Sequence, residues 1–189
     1  MRAREIARLH VVLHRPIIPF NTGNVGRTCL GFGAQLHLIA PQFDVNDKAA
    51  KRAGLDYWPK VQPRVHACWQ SFERDALRTD IDGGAFLFSK EGKQGEVPLA
   101  EARFFGSSGA GAAPTAAAAA QVPHAVALVF GSEHAGLEGV SEDALRTCPC
   151  VYLPMSGAIR SYNLSSAAAM GVWEAHRQLE LCAADRRGA

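Results

Sequence analysis

Residues 151–166 read VYLPMSGAIRSYNLSS and combine the end of a strand, a polar turn and the start of a helix. A β-rich run from Cys150 to Leu153 ends at a proline, and a turn-prone segment with Arg160 follows it. Four small polar residues then lie at the predicted N-terminus of an Ala-rich helix: Ser161, Asn163, Ser165 and Ser166. One helix cap accounts for only one such residue. The stretch therefore predicts a polar pocket for a small ligand or a phosphate, with an over-decorated helix cap as the alternative.

Apolar strand-like runs alternate with helical patterns along the rest of the chain. The runs predict strands at Leu9 to Leu13, Gln35 to Ala40, Ala85 to Phe88, Ala125 to Phe130 and Val151 to Leu153. Helices are predicted at 22–33, 46–54, 66–78 and 163–182, and the last of these has an apolar face at three-and-four spacing. This alternation indicates an α/β fold with a mostly parallel sheet covered by helices on both faces.

Size and composition narrow the classes of protein. The 189 residues predict one domain, and 106–122 (GSSGAGAAPTAAAAAQV) is predicted to be a low-complexity surface loop within it. A net charge of +2 means that any nucleic-acid surface is a local patch. The N-terminus does not resemble a signal peptide, and no run reaches the ~20 apolar residues of a membrane span. Five scattered cysteines without a CxxC pair predict reduced thiols in a cytoplasmic protein and no metal site.

Two further segments carry candidate site residues. In PFNTGNVGR, residues 19–27, Asn21, Asn24 and Arg27 are placed on a Gly-containing turn after the first strand, where open α/β sheets bind ligands. An ordinary Asn/Gly turn with a surface arginine is the alternative. In VFGSEHAGL, residues 129–137, Glu133 follows a buried strand directly and is expected to face a site or cap the following helix.

A basic stretch with aromatic neighbours is a candidate RNA-binding surface. Lys51 and Arg52 lie close to Tyr57 in the sequence, and such a mixture binds RNA through phosphates and stacking. A solvated helix face explains the same pattern. Other motifs are excluded: GFGAQL at 31–36 lies between a helix and a strand, the wrong order for a dinucleotide fingerprint, and Ser132 lies in no hydrolase elbow.

These motifs together resemble the SPOUT RNA 2′-O-methyltransferases. The matching segments are N-x-G-N-x-x-R at 21–27, FGSE at 130–133 and LPM…RSxNLS at 153–165. RAGLDY within 51–58 resembles the subgroup that methylates cytidine or modified uridine 34 of leucine tRNAs. The resemblance runs from about residue 9 to 181. Departures are the 106–122 insertion, His134 after the FGSE motif, and Trp173 where the family pattern has tyrosine.

The resemblance implies a fold, a cofactor and partners. The C-terminal part of the sheet would form a deep trefoil knot, a rare exception to unknotted topology. The methyl donor would be S-adenosylmethionine, bound bent in the knot and leaving as S-adenosylhomocysteine. A homodimer would bind tRNA across both subunits. Family contacts to the donor, carried onto this chain, fall on Phe88, Gly131, Leu153 and Ser161, with Met155 and Leu164 as neighbours.

The resemblance also implies roles for the polar residues. Arg27 would be the central catalytic residue, surrounded by Asn21, Glu133, Ser161 and Asn163. Because a guanidinium has a pKa above ~12, we expect Arg27 to stabilise the ribose oxygen electrostatically, although a role as the base stays open. Glu133 is expected to support the Asn21 segment or the dimer. Candidate RNA contacts are Lys51, Arg52, Tyr57 and Arg160.

Three alternatives accompany this interpretation. A SPOUT methyltransferase acting on ribosomal RNA or another tRNA position would keep the fold, but such enzymes often carry an extra N-terminal RNA-binding domain. Only about eight residues precede the first predicted strand here. A knot protein that binds RNA without catalysis is disfavoured by the intact Asn21, Arg27, Ser161 and Asn163 set. A nucleotide-binding α/β protein would need a phosphate loop, and the sequence has none.

Overall fold

The computed structural model describes residues 8–45, 57–90, 92–105 and 124–188. Within these ranges, seven parallel strands form one sheet in the order β3-β2-β1-β6-β4-β7-β5. The predicted helix at 46–54, with Lys51 and Arg52, and the predicted loop at 106–122 lie outside the described residues. The strands are β1 (Leu9–His14), β2 (Gln35–Ile39), β3 (Arg64–His66), β4 (Ala85–Ser89), β5 (Val97–Pro98), β6 (Val126–Phe130) and β7 (Cys150–Tyr152).

Helices cover both faces of the sheet, as predicted. They are α1 (Pro19–Phe32), α2 (Trp58–Val61), α3, α4 (Glu142–Thr147) and α5 (Leu164–Gly188), with a 3₁₀ turn at Leu99–Glu101. Helix α3 consists of Trp69–Phe72, a π-helical turn at Glu73–Leu77, and Arg78–Asp80. Residues of α1, α2 and α5 share one buried apolar cluster with the sheet, while α3 and α4 pack in a second cluster on the other face.

Helix α1 begins three residues earlier than the predicted start at residue 22. Pro19 is the first helical residue, and its fixed φ suits the first turn, where its missing N–H removes no helical hydrogen bond. Ile18, in an extended conformation, precedes it. Asn21, Asn24 and Arg27, predicted on a Gly-containing turn that opens the helix, all belong to α1 itself. Their side chains consequently point in directions fixed by the helical repeat.

Strand β7 separates two strands that are consecutive in the sequence. It pairs with β4 on one side and β5 on the other, so the connection from β4 to β5 passes over β7. The passage is close, since a Cβ atom at Gly92 would lie 2.8 Å from the Tyr152 ring. Glu96 holds the crossing segment by accepting from Ser89 Oγ at 2.6 Å and from the Lys93 N–H at 3.0 Å.

Two apolar contacts position the carboxyl ends of β4 and β6. Phe88 of β4 and Phe130 of β6 stack with ring centroids 4.3 Å apart. Helix α5 packs against this pair at Gly171, where a Cβ atom would lie 2.9 Å from Phe88 Cζ. Glycine at this position therefore allows α5 to pack directly beneath the ends of β4 and β6.

Candidate active site

A cavity of about 690 Å³ opens beyond the carboxyl ends of β4, β6 and β7. This is the edge at which open parallel sheets bind ligands, and the volume lies in the range of small-molecule sites. The structure brings all six sequence-predicted donor residues to its wall: Phe88, Gly131, Leu153, Met155, Ser161 and Leu164. The wall thus joins apolar surface to a polar rim, as a ligand with an aromatic and a charged part requires.

The FGSEHAG segment forms a tight turn in this wall. Ser132 donates its N–H to the Gly136 carbonyl at 2.8 Å, and Gly136 returns a hydrogen bond to the Ser132 carbonyl at 3.0 Å. A Cβ atom at Gly131 would lie 2.3 Å from the Gly136 carbonyl carbon. Gly136 itself has a φ of 58°, in the left-handed region. Both glycines are therefore required by the turn.

Glu133, Asn21 and Asn163 form a hydrogen-bonded chain that joins the three sequence motifs. Glu133 accepts from the backbone N–H groups of Ile17 and Ile18 at 2.9 and 3.3 Å and from Asn21 Nδ2 at 2.9 Å. Asn21 Oδ1 in turn accepts from Asn163 Nδ2 at 3.0 Å. The Glu133 carboxylate lies at the N-terminus of α1, where the helix dipole favours a negative charge. These hydrogen bonds hold Glu133 against the Asn21 segment.

Asn163 also caps helix α5. Its Oδ1 accepts from the Ser165 N–H at 2.9 Å and from Ser165 Oγ at 2.7 Å. The Asn163 side-chain oxygen therefore pairs with a backbone N–H group at the start of α5, while its nitrogen donates to Asn21. Tyr162, beside it, donates its hydroxyl to the Pro154 carbonyl at 3.1 Å and so fastens the preceding loop. The crowded polar stretch at 161–166 thus contains a helix cap together with residues that face the cavity.

Arg27 does not line the cavity of its own chain. It lies six residues after Asn21, which places the two side chains about 120° apart around α1. Its guanidinium is exposed over the Tyr57 ring, 5.3 Å from the centroid, and Lys60 Nζ lies 5.9 Å from the same centroid. Arg27, Tyr57 and Lys60 therefore form an exposed cationic and aromatic cluster on α1 and α2. Asn21, Glu133, Ser161, Asn163 and Arg160 line the cavity.

The sequence analysis missed two lysines of the cavity. Lys90 and Lys93 follow β4 and line the wall together with Arg160. The signal was a Ser-Lys pair directly after a buried strand, the same position relative to β4 that Gly131 and Ser132 hold after β6. Lys90, Lys93 and Arg160 are the side chains of this wall that suit anionic groups such as phosphates.

Burial keeps the Cys150 thiol in the cavity wall uncharged. Cys150 of β7 faces the cavity, and its burial together with the nearby Glu96 charge raises the pKa of its thiol. Within the described part of the chain, no group of three or more His, Cys, Asp or Glu side chains could hold a metal ion. Over the same ranges, no helix is both long and apolar enough to cross a bilayer.

A family model confirms the resemblance seen in the sequence. The model described as the SpoU rRNA Methylase family matches residues 8–173. The chain belongs to this family. A solved structure described as "Structural insights into the 2-OH methylation of C/U34 on tRNA" is 38% identical, with a TM-score of 0.71, over 92% of this chain and 97% of that chain. The C-terminal part of the sheet accordingly carries the deep trefoil knot of these methyltransferases.

Two further relatives extend the comparison. The tRNA (cytidine(34)-2′-O)-methyltransferase of Yersinia pestis is 36% identical, over 90% of this chain and 94% of that protein. The SpoU methyltransferase AviRb of Streptomyces viridochromogenes, solved in complex with AdoMet, is 23% identical with a TM-score of 0.63. It covers 93% of this chain and 59% of its own, and it supports the shared fold.

Proposed function

We propose that this protein transfers a methyl group from S-adenosylmethionine to the ribose 2′-hydroxyl of nucleotide 34, cytidine or modified uridine, in leucine tRNAs. The supporting observation is the chain of hydrogen bonds from Glu133 through Asn21 to Asn163, at the rim of a cavity with mixed apolar and polar walls. The similarity to proteins named for cytidine 34 methylation supports the position on the tRNA.

The cavity wall fits the proposed donor. Phe88, Leu153 and Leu164 offer apolar surface to an adenine, and the Gly131 turn lets a ligand approach the backbone. Ser161 and Met155 complete the site. When bound, S-adenosylmethionine supplies an electrophilic methyl group on a sulfonium. The transfer cancels charge between that sulfonium and the developing alkoxide, so exclusion of water by the apolar wall favours it.

The polar chain at the rim orients the acceptor. Asn163 and Asn21 hold one another at 3.0 Å, and Glu133 fixes Asn21 from the other side. Each amide therefore has one defined orientation toward the cavity. A ribose held against these amides would be placed for in-line attack, and positioning of this kind lowers a barrier by ~7–11 kcal/mol.

Arg27 acts from a second copy of the chain in this proposal. It does not line its own cavity, and large apolar side chains are exposed on α1 and α5: Phe20 at 60% and Trp173 at 58%. A homodimer that buries these side chains would bring Arg27 of one copy to the cavity of the other. The guanidinium would then stabilise the ribose oxygen and the adjacent phosphate.

The exposed cations supply the tRNA contacts in this proposal. Arg160 at the cavity and Tyr57 beside Arg27 would bind the anticodon backbone and its bases, together with Lys51 and Arg52.

We further propose that residues 1–189 are one domain, since all described strands join one sheet and 106–122 is an insertion within it. Its place of action would be the cytoplasm, with no membrane and no metal involved.

Mass spectrometry of leucine tRNA tests the proposed reaction. Ribose methylation at nucleotide 34 is expected in cells that express the protein and is expected to be lost when the gene is deleted. Complementation with Leu153→Asp should fail, because a carboxylate would face the adenine site. Unchanged methylation at nucleotide 34 after deletion, or loss of a methyl group only from another RNA, would refute the substrate assignment.

Subunit mixing tests the shared site. Arg27→Ala and Asn163→Ala chains are each expected to be inactive alone. In a re-equilibrated equal mixture, half of the dimers would be mixed, and each would hold one intact site, which gives about a quarter of wild-type activity. If Arg27 served its own cavity, the mixture would stay inactive, and the dimer proposal would fail.

A further inference from the structure

The reaction needs an acceptor for the proton of the 2′-hydroxyl, and Arg27 is unsuited because a guanidinium carries only hydrogen-bond donors. We propose that His134 is the general base that removes this proton. The inference rests on the proposed function and goes beyond it, since it assigns the proton to one residue. General bases contribute ~10²–10⁴-fold to such reactions, so the assignment has a measurable consequence.

The carboxylates of the cavity are already occupied. Both oxygens of Glu133 accept hydrogen bonds, from the Ile17 and Ile18 N–H groups and from Asn21. Glu96 accepts from Ser89 Oγ and the Lys93 N–H. A substrate hydroxyl that approached Glu133 would have to displace one of these three hydrogen bonds. Proton uptake by Glu133 would also release the N-terminus of α1.

The remaining polar side chains of the wall, apart from one histidine, are poor proton acceptors for other reasons. Cys150 has a raised pKa because of burial and the nearby Glu96 charge, so it stays a thiol. Tyr162 donates its hydroxyl to the Pro154 carbonyl and is held in the preceding loop. Lys90, Lys93 and Arg160 are cations and lack a lone pair for a proton.

His134 is the remaining basic side chain of the cavity wall among the described residues. Its imidazole is exposed and makes no hydrogen bond or ion pair within the described part of the chain. It follows Glu133 directly, in the turn closed by the Ser132–Gly136 hydrogen bonds, so its backbone is fixed next to the group that holds Asn21. Histidine is the side chain whose ordinary titration range suits proton transfer near pH 7.

The proton and electron balance is complete with this residue. The 2′-oxygen forms a bond to the methyl carbon while the carbon–sulfur bond breaks and its electron pair stays on sulfur. An unprotonated ring nitrogen of His134 takes the hydroxyl proton and becomes an imidazolium. That imidazolium releases its proton to water after product departure, since the side chain is exposed. No further oxidant or reductant takes part.

Single-turnover kinetics between pH 6 and 9 test the assignment. The substrate is leucine tRNA from cells that lack the gene, and the variants are His134→Asn and, as a matched control, His124→Asn. His124 is also exposed but lies beside Asp82, outside the site cavity. We expect His134→Asn to lower the methylation rate about 100-fold and to remove the acid limb of the pH profile. Donor affinity by calorimetry and the thermal melting temperature should stay close to wild type.

Chemical rescue separates catalysis from a structural role. Added imidazole should restore part of the rate of His134→Gly in proportion to its unprotonated fraction, whereas a residue that only shapes the turn gives no such rescue. A wild-type rate and an unchanged acid limb in His134→Asn would overturn the inference while leaving the proposed function intact. A wild-type protein that methylates no nucleotide 34 would overturn both.

Discussion

Substitution of Gly131 by alanine should disrupt the cavity wall at one defined point. The added Cβ atom would lie 2.3 Å from the Gly136 carbonyl carbon, 2.4 Å from its oxygen and 2.8 Å from the Leu137 nitrogen. All three are backbone atoms, so no side-chain rotation relieves the contact. Overpacking of ~1–3 kcal/mol, added to loss of the paired Ser132–Gly136 hydrogen bonds, predicts that the free energy of unfolding falls by about 2–5 kcal/mol.

Urea unfolding and calorimetric titration with S-adenosylmethionine measure the two consequences of this change. The matched control is Gly31→Ala in α1, where a Cβ atom would meet nothing within 4 Å. Alanine there should raise the free energy of unfolding by up to ~1 kcal/mol and leave donor binding unchanged. If Gly131→Ala lost less than ~1 kcal/mol and bound the donor normally, the close turn would not be a determinant of the wall.

Three further predictions concern acid stability, the rim and the dimer. Burial, with smaller effects of His10, His66 and Arg64, lowers the pKa of His37 to about 2. Since a free histidine titrates near ~6.5, the unfolded chain gains a proton first as the pH falls, and the free energy of unfolding should drop by ~2 kcal/mol between pH 7 and 5 in urea titrations. A drop smaller than ~1 kcal/mol would contradict the burial argument. Glu133→Gln should lower stability by ~1–2 kcal/mol and reduce the methylation rate, because one acceptor oxygen replaces two; stopped assays and melts check this, and a wild-type rate would contradict it. Trp173→Asp should raise the dimer dissociation constant at least ~30-fold by analytical ultracentrifugation without unfolding the chain, and an unchanged constant would place the interface elsewhere.

The sequence predicted the four long strands and the short strand β7, and it missed β3 and β5. β1, β2, β4 and β6 are runs of five or six residues, almost all of them buried, so their apolar character is continuous. β3 and β5 contain three and two residues, too few for any periodicity. Helix α4 was also missed, although Ser141 caps it by accepting from the Ala144 N–H at 3.2 Å. A cap signal of that kind could have located it.

The residues of the candidate site also differ in how far the sequence could place them. Gly131 and Leu153, which the family resemblance implied as donor contacts, follow β6 and β7 and line the cavity, since the carboxyl ends of parallel strands share an edge. The direction of Arg27 was not predictable. It depends on how α1 packs in the fold, which leaves Arg27 exposed over the Tyr57 ring and not at the cavity. The bond between Asn21 and Asn163 spans 142 residues and follows from the tertiary fold alone.

The position of β7 has a consequence during synthesis. The ribosome delivers β4 and β5 first, and β7 emerges more than fifty residues later, yet it must enter the gap between them beneath Gly92. Nascent chains that end before Tyr152 therefore lack the complete strand between β4 and β5 and one wall of the cavity. The complete cavity therefore forms only after β7 has been synthesised, so truncated products should be unable to bind the methyl donor.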